Sequence, residues 1–173
     1  TRAMCNLYRM DRAATGIAHI FDATLSSDFA WQEDIYPRYT APVVISARGE
    51  RRLGPLRRGF PTEVPGKTKM LTKHVTNARN LSSPMWRPSL ARRRCLVPFT
   101  RFAEPAPGKD ADGRPAQHWF TISDQPVAAF AGLWRPTEDG PVFAFCTTEP
   151  NPLVAPLHPK AMPVVLGVDE QET

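Results

Sequence analysis

Apolar residues fall along this chain in short runs separated by proline, glycine and charged clusters, a texture of many short elements rather than long helices. Residues 5–10 read as a short strand. Asp11 is placed to cap a helix through Phe21 that sets Ile17, Ile20 and Phe21 on one face. After a looser segment at 29–36, Pro42-Val43-Val44-Ile45 predicts a strand that turns at Arg48-Gly49 into a partner over 51–56. Glycine, proline and basic residues mix from Gly54 to Lys69, which is loop composition. A short strand is predicted at 75–79, then a helix capped by Ser83 with Pro84 in its first turn, holding Met85, Trp86 and Leu90. Pro88 limits that helix's regularity, and Arg92-Arg93-Arg94 mark its basic end.

Residues 95–102 read as a buried strand that delivers Glu104 just past its end, with a turn-rich loop at 105–114. Strand signals recur at 117–122, 127–134 and 142–148, parted by turns at Ser123-Asp124 and Glu138-Asp139-Gly140. Residues 152–157 suit one helical turn and 162–166 a last strand. Short antiparallel strands with few helices predict an α+β fold, a single domain built on a curled, mostly antiparallel, barrel-like sheet. No internal repeat is visible.

Composition sharpens this in three respects. Nineteen prolines in 173 residues are about twice the usual share, which again favours short elements. The net charge of +5 is carried mostly by arginine, whose planar fork suits phosphate, so a polyanionic partner is expected. Three cysteines without CxxC spacing make neither a disulfide framework nor a zinc site, and Cys95 and Cys146 sit in apolar strand text as buried thiols. The expectation is therefore no metal and no cofactor. With no signal-peptide core and no apolar run near ~18 residues, a cytoplasmic protein with no membrane partner is expected.

Candidate chemistry begins at Met4-Cys5. If Met4 is an initiator and is removed, Cys5 presents an α-amine and a thiol on adjacent carbons. Such an aminothiol condenses with an aldehyde, first as a Schiff base through the amine, then as a thiazolidine when the thiol closes the ring. The amine's reference pKa of about 7.7–8.0 leaves roughly a tenth of it neutral at pH 7. Asn77, on a short strand beside Arg79, is suited to orient a carbonyl or amine. Glu104 stands among Phe99, Phe102 and Pro105, where desolvation raises a carboxyl toward useful acid–base chemistry. His158 is held between Pro156 and Pro159 in an extended turn. Taken singly, each is more commonly structural.

Taken together, Met4-Cys5, Asn77-Ala78-Arg79, Arg94-Cys95-Leu96-Val97-Pro98 with Glu104 behind it, Ala131-Gly132-Leu133-Trp134, Thr147-Thr148, and His158 with Met162-Pro163 form one ordered set. That set resembles the SOS-response-associated peptidase (SRAP) family, known for sensing abasic sites in DNA, over nearly the whole chain. The resemblance implies a monomeric, nucleoid-associated protein that binds single-stranded DNA and captures the ring-opened aldehyde of an abasic site as a thiazolidine DNA–protein crosslink, a lyase-like activity. It implies Cys5 as nucleophile, Asn77 as positioning group, Glu104 as acid and base, and His158 as the group assisting deoxyribose opening. By the same resemblance Arg79 and Arg87 hold DNA phosphates, Pro42 lies beside the DNA, and Thr147 and Thr148 give further contacts. With no base to read at the lesion, affinity is expected from phosphates and stacking; Trp86 and Phe60 are candidate wedges.

Several positions depart from the family pattern. Asn6 and Leu7 replace the usual glycine and arginine, Arg58-Gly59-Phe60-Pro61 stands where a tryptophan-glycine stretch is common, and Ala103-Glu104-Pro105 lacks the usual aromatic flanks. The histidine segment lacks its arginine, a charge that Lys160 is placed to supply. A helical stretch common after the Met-Pro strand is missing, so the domain at 4–173 is expected to lack its C-terminal end. Thr1-Arg2-Ala3 reads as a tag remnant or upstream extension, and behind it Cys5 cannot form a thiazolidine. The alternatives are a cysteine peptidase, self-processing, that uses Cys5 with His158, and a non-catalytic basic DNA-binding module.

Overall fold

The computed structural model describes residues 6–172. In chain order, β1 (Leu7–Arg9) leads through α1 (Ala14–Ile20) to the short β2 (Thr24–Leu25) and β3 (Asp34–Ile35), then to the long antiparallel pair β4 (Thr40–Ala47) and β5 (Glu50–Arg58). A hairpin of β6 (Phe60–Pro65) and β7 (Met70–Val75) precedes β8 (Asn77–Ala78) and α2 (Arg87–Arg92). There follow β9 (Arg94–Phe99), β10 (Arg101–Lys109), β11 (Pro115–Phe120), β12 (Ala128–Arg135) and β13 (Val142–Thr148). The two-residue strands β14 (Met162–Pro163) and β15 (Val165–Leu166) complete the set.

Two sheets result. The larger runs β14-β13-β12-β9-β4-β5-β2, and β13 also pairs in parallel with β5, setting Val142 beside Arg57 and Phe143 beside Arg58. That second pairing curls the sheet on itself, so the α+β, barrel-like expectation holds. The smaller sheet, β11-β10-β1-β3, packs across it. Between them lies an aromatic core: Phe99 stacks on Phe130 at 3.8 Å, and Tyr8 meets Phe130 and Phe145 edge-on at 5.5 and 6.0 Å. β13 is buried on both faces, because Phe143 and Phe145 enter this core while Val142, Ala144 and Cys146 enter a second cluster with Phe60, Trp86 and Leu133. A strand covered on both faces reads as a continuous apolar run, and residues 142–146 do.

Several elements differ from expectation. α1 starts later, with Ala13 extended at its N-terminus and no side-chain cap, because Asp11 is engaged by the Arg9 guanidinium instead. Ile20 is exposed; the helix buries Ile17 and Ala18. The 54–69 stretch is mostly strand, in β5 and β6, with only 66–69 left as a turn. Pro55 lies opposite Pro42, a pairing that suits a non-hydrogen-bonded site where neither residue needs an N–H. The 75–79 strand is two pieces, β7 and β8. Ser83 caps a turn, its hydroxyl accepting from Met85 N at 3.3 Å, and α2 begins only where Pro88 fits its first turn. The 95–102 run divides at Thr100, so Glu104 lies within β10 rather than beyond a strand end, and β10 carries on to Lys109.

Candidate active site at the head of the first strand

Cys5 lies outside the described residues, as do Thr1 to Met4. What surrounds the start of β1 is described. The antiparallel register pairs Leu7 with Ala103, Tyr8 with Phe102 and Arg9 with Arg101, and one further step sets Asn6 across from Glu104. Glu104 is fully buried, with Ala103 and Pro105 flanking it in the strand. His158 reaches it from the turn at 151–158, its Nε2 lying 3.6 Å from Glu104 Oε2. That distance is a close approach, longer than a hydrogen bond.

The turn that carries His158 is built locally. Asn151 Oδ1 accepts from Leu153 N at 3.1 Å and Val154 N at 3.0 Å, and His158 N closes the turn on the Val154 carbonyl at 2.8 Å. Buried Val154 anchors it. His158 Nδ1 stands 2.9 Å from the Ala161 carbonyl. A carbonyl only accepts, so Nδ1 carries the hydrogen and Nε2 is the nitrogen turned to the carboxyl. His158 Nε2 and the Glu104 carboxyl thus face each other as two groups able to take up and give up a proton, which is the requirement for acid–base work in both directions.

Asn77 enters from β8. It pairs in parallel with Phe145, and residues in register share a sheet face. Phe145 is the ring under the Arg58 guanidinium, at 4.9 Å, and Arg58 Nη1 donates to the Asn6 carbonyl at 2.7 Å. Asn77 thus lies on the face that looks toward the start of β1, with its Oδ1 buried. The sequence reading placed Arg58 among basic loop residues. Its signal was present in the alternation of β5, where Leu56 and Arg58 both point inward.

The expected DNA contacts divide. Arg79 is exposed, pairs with Glu149 and donates to the Lys160 carbonyl at 3.3 Å. Lys160 and Thr148 are exposed, and Thr148 pairs with Met162, so these residues line one edge beside the His158 turn. Arg87 is exposed at the start of α2. Pro42 and Thr147 are buried, within β4 and β13, and cannot touch a DNA backbone without movement. Phe60 and Trp86 are buried against each other at 4.8 Å, so neither is a wedge; Trp86 is core.

This chain matches the SOS response associated peptidase (SRAP) family over residues 4–173. The chain belongs to that family. It is thereby an SOS-response-associated protein. No curated protein matches it. Solved structures give its fold: a protein from Bordetella bronchiseptica, 22% identical, covers 96% of this chain and 86% of its own with a TM-score of 0.71. A protein from Bacteroides thetaiotaomicron is 19% identical over 96% of this chain and 79% of its own, TM-score 0.73. A phage-related protein from Bordetella bronchiseptica is 19% identical over 94% and 77%, TM-score 0.62. Among the described residues of this SRAP protein no group of His, Cys, Asp and Glu is arranged to hold a metal, and no helix is long and apolar enough to cross a membrane.

The other two thiols of the SRAP chain are buried. Burial pushes Cys146 up to about 11 and Cys95 well above the ordinary thiol range, Cys146 adding to the latter. Since the thiolate is the nucleophile, iodoacetamide at pH 8 is expected to label only Cys5 in the native protein and all three thiols in urea. Mass spectrometry of the modified chain reads this, and rapid native labelling of Cys95 or Cys146 would contradict it.

Proposed function

We propose that this SRAP protein captures abasic sites in single-stranded DNA as a covalent thiazolidine through an N-terminal Cys5. The observation that carries the reading is the buried Glu104–His158 pair at 3.6 Å, set beside the strand that Cys5 precedes. In the closed sugar the aldehyde is masked as a hemiacetal. His158 takes the C1 hydroxyl proton as the ring C1–O bond breaks and passes that proton to the ring oxygen, which leaves as a hydroxyl. The Cys5 amine adds to the aldehyde carbon; Glu104 donates a proton to the departing hydroxyl, and water and the imine result. The Cys5 thiol then adds to the imine carbon while its proton passes to the nitrogen. The balance is aldehyde plus aminothiol to thiazolidine plus one water. General acid–base assistance of this kind contributes roughly 10²–10⁴-fold.

Arg79, Lys160 and Thr148 supply the edge along which phosphates lie, with Glu149 giving up Arg79 to the DNA. Such contacts carry little sequence preference. The protein acts as a monomer in the cytoplasm, on the nucleoid when bound. The family's name supports a second reading, a self-processing peptidase in which Cys5 is an internal nucleophile and His158 its base.

The two readings differ in what they ask of the amine. Chains opening on Cys5 and on Thr1 are incubated with a single-stranded oligonucleotide bearing one abasic site and run on a denaturing gel. A retarded band is expected for the Cys5-first chain alone, and lost in Cys5→Ala. Release of residues 1–4 from the Thr1-first chain, with no band from either, would favour the peptidase.

A further inference from the structure

Among the described residues the β6–β7 hairpin pairs with no other strand and stands as a ribbon of its own. Its root is fixed. Phe60 and Val75, opposite each other in the register, join the second core, where Phe60 meets Trp86. Gly59 makes the reversal out of β5 at a φ of +116°, and a Cβ there would lie 2.9 Å from the His74 Cβ, so the close return needs glycine. At the tip Gly66 N donates to the Lys69 carbonyl at 2.9 Å. Residues 67–73 are all exposed.

The ribbon sorts its side chains by face. The register sets Thr62 beside Lys73 and Val64 beside Leu71 on the face that continues Phe60 and Val75, and Glu63 beside Thr72 on the other. Glu63 is the only acid from 60 to 75, and it accepts from Thr72 Oγ1 at 2.6 Å. The face of Phe60 therefore presents Lys73 and Leu71 without a carboxylate, with Lys67 and Lys69 at its tip. Exposed Arg87 follows Trp86, the partner of Phe60. Lysines guard an exposed strand edge against pairing with another chain, which accounts for the cations. It does not account for Met70 and Leu71, 56% and 45% exposed among them.

Resting on the single-strand reading above, we propose that the β6–β7 ribbon is a lesion-independent anchor for single-stranded DNA: Lys67, Lys69 and Lys73 meet phosphates and Leu71 packs against an unpaired base. Phosphate contacts supply affinity without regard to sequence, and unstacked bases offer apolar faces. A duplex also turns its phosphates outward, but it keeps its base faces stacked and would leave Leu71 bare. The ribbon thus holds the strand wherever it is single, and the site at the head of β1 acts when an abasic sugar comes within reach.

The test uses the full chain and an undamaged single-stranded oligonucleotide, with binding followed by fluorescence anisotropy from about 50 to 200 mM salt. The triple variant Lys67→Gln, Lys69→Gln, Lys73→Gln is expected to flatten the log–log salt slope by about 2 and to bind roughly tenfold more weakly, since each lost contact removes about 0.7 from the slope. Removing three exposed charges elsewhere, by Arg48→Gln, Arg52→Gln and Lys109→Gln, is expected to move the slope by less than about 0.5. Leu71→Ser is expected to weaken single-strand binding about fivefold at an unchanged slope and to spare a duplex of the same sequence. Every altered side chain is exposed, and circular dichroism checks that each variant is folded. A slope unmoved in the ribbon variant, or equal losses from the two triple variants, would overturn the proposal. So would Leu71→Ser with no effect or with the same effect on duplex, or self-association of the parent that Leu71→Ser abolishes. Weakened binding in the ribbon variant of a chain that forms no crosslink at abasic sites would strike the crosslinking reading and leave this assignment standing.

Discussion

Glu104→Gln is expected to slow crosslink formation by about 100-fold or more while leaving the fold intact. The substitution preserves shape and removes proton exchange. Because His158 Nδ1 is committed to the Ala161 carbonyl, Nε2 presents a lone pair, and the new amide N–H can donate to it. The pair therefore stays satisfied around a fully buried residue 104, and no charge is left stranded there. Single-turnover rates on an abasic oligonucleotide, measured alongside the melting temperature, give the two readouts. His158→Ala in the same background should add little, since the two residues act as one proton-carrying unit. A rate within about threefold of the parent, with melting unchanged, would remove Glu104 from the acid–base role.

The second large effect is on stability. Phe130→Ala is expected to cost about 3–5 kcal/mol and to lower the melting temperature by roughly 10 °C or more. Phe130 is fully buried and stacks on Phe99. It also meets Phe145 at 4.7 Å, Tyr8 at 5.5 Å and Phe102 at 5.9 Å. Tyr8 and Phe102 belong to the smaller sheet, and Phe99, Phe130 and Phe145 to the larger. Truncation there opens a cavity at the seam between sheets, and the seam is what holds β1 and β10 in place. Thermal unfolding followed by circular dichroism measures the loss; a shift of only about 2 °C would mean the core collapses around the gap.

The strands at 127–134 and 142–148 were legible because two-sided burial writes them as unbroken apolar text, and they match β12 and β13 closely. The same continuity hid the break at Thr100. Apolar text resumes at Phe102 after only Thr100-Arg101, yet the chain leaves one sheet for the other there, with Thr100 N and Oγ1 both donating to the Arg9 carbonyl at 2.8 and 3.0 Å. Glycine and proline made 54–69 read as a loop, although proline opposite proline leaves a ladder whole. Ser83 and Pro84 imitate a helix start, but Trp86 is drawn into the second core and the helix begins after it.

At the site, local pattern offered residue types and the ordered set offered roles. Neither could bring Glu104 and His158 together, because their contact depends on a turn packed against β10 from the far end of the chain. Arg58 was hidden for a different reason. Arginine in basic, glycine-rich text reads as a solvated face, and its alternation with Leu56 carries meaning only once 50–58 is taken as a strand.

The central claim is that Cys5 joins DNA through both its amine and its thiol. Its most direct test is the intact mass of the retarded band formed by the chain opening on Cys5, with and without borohydride. A thiazolidine predicts the mass of protein plus abasic oligonucleotide less one water, unchanged by borohydride, with the Cys5 thiol blocked to alkylation. An adduct that gains two hydrogens on reduction and leaves the Cys5 thiol free to alkylate would be a simple Schiff base, and would contradict the account.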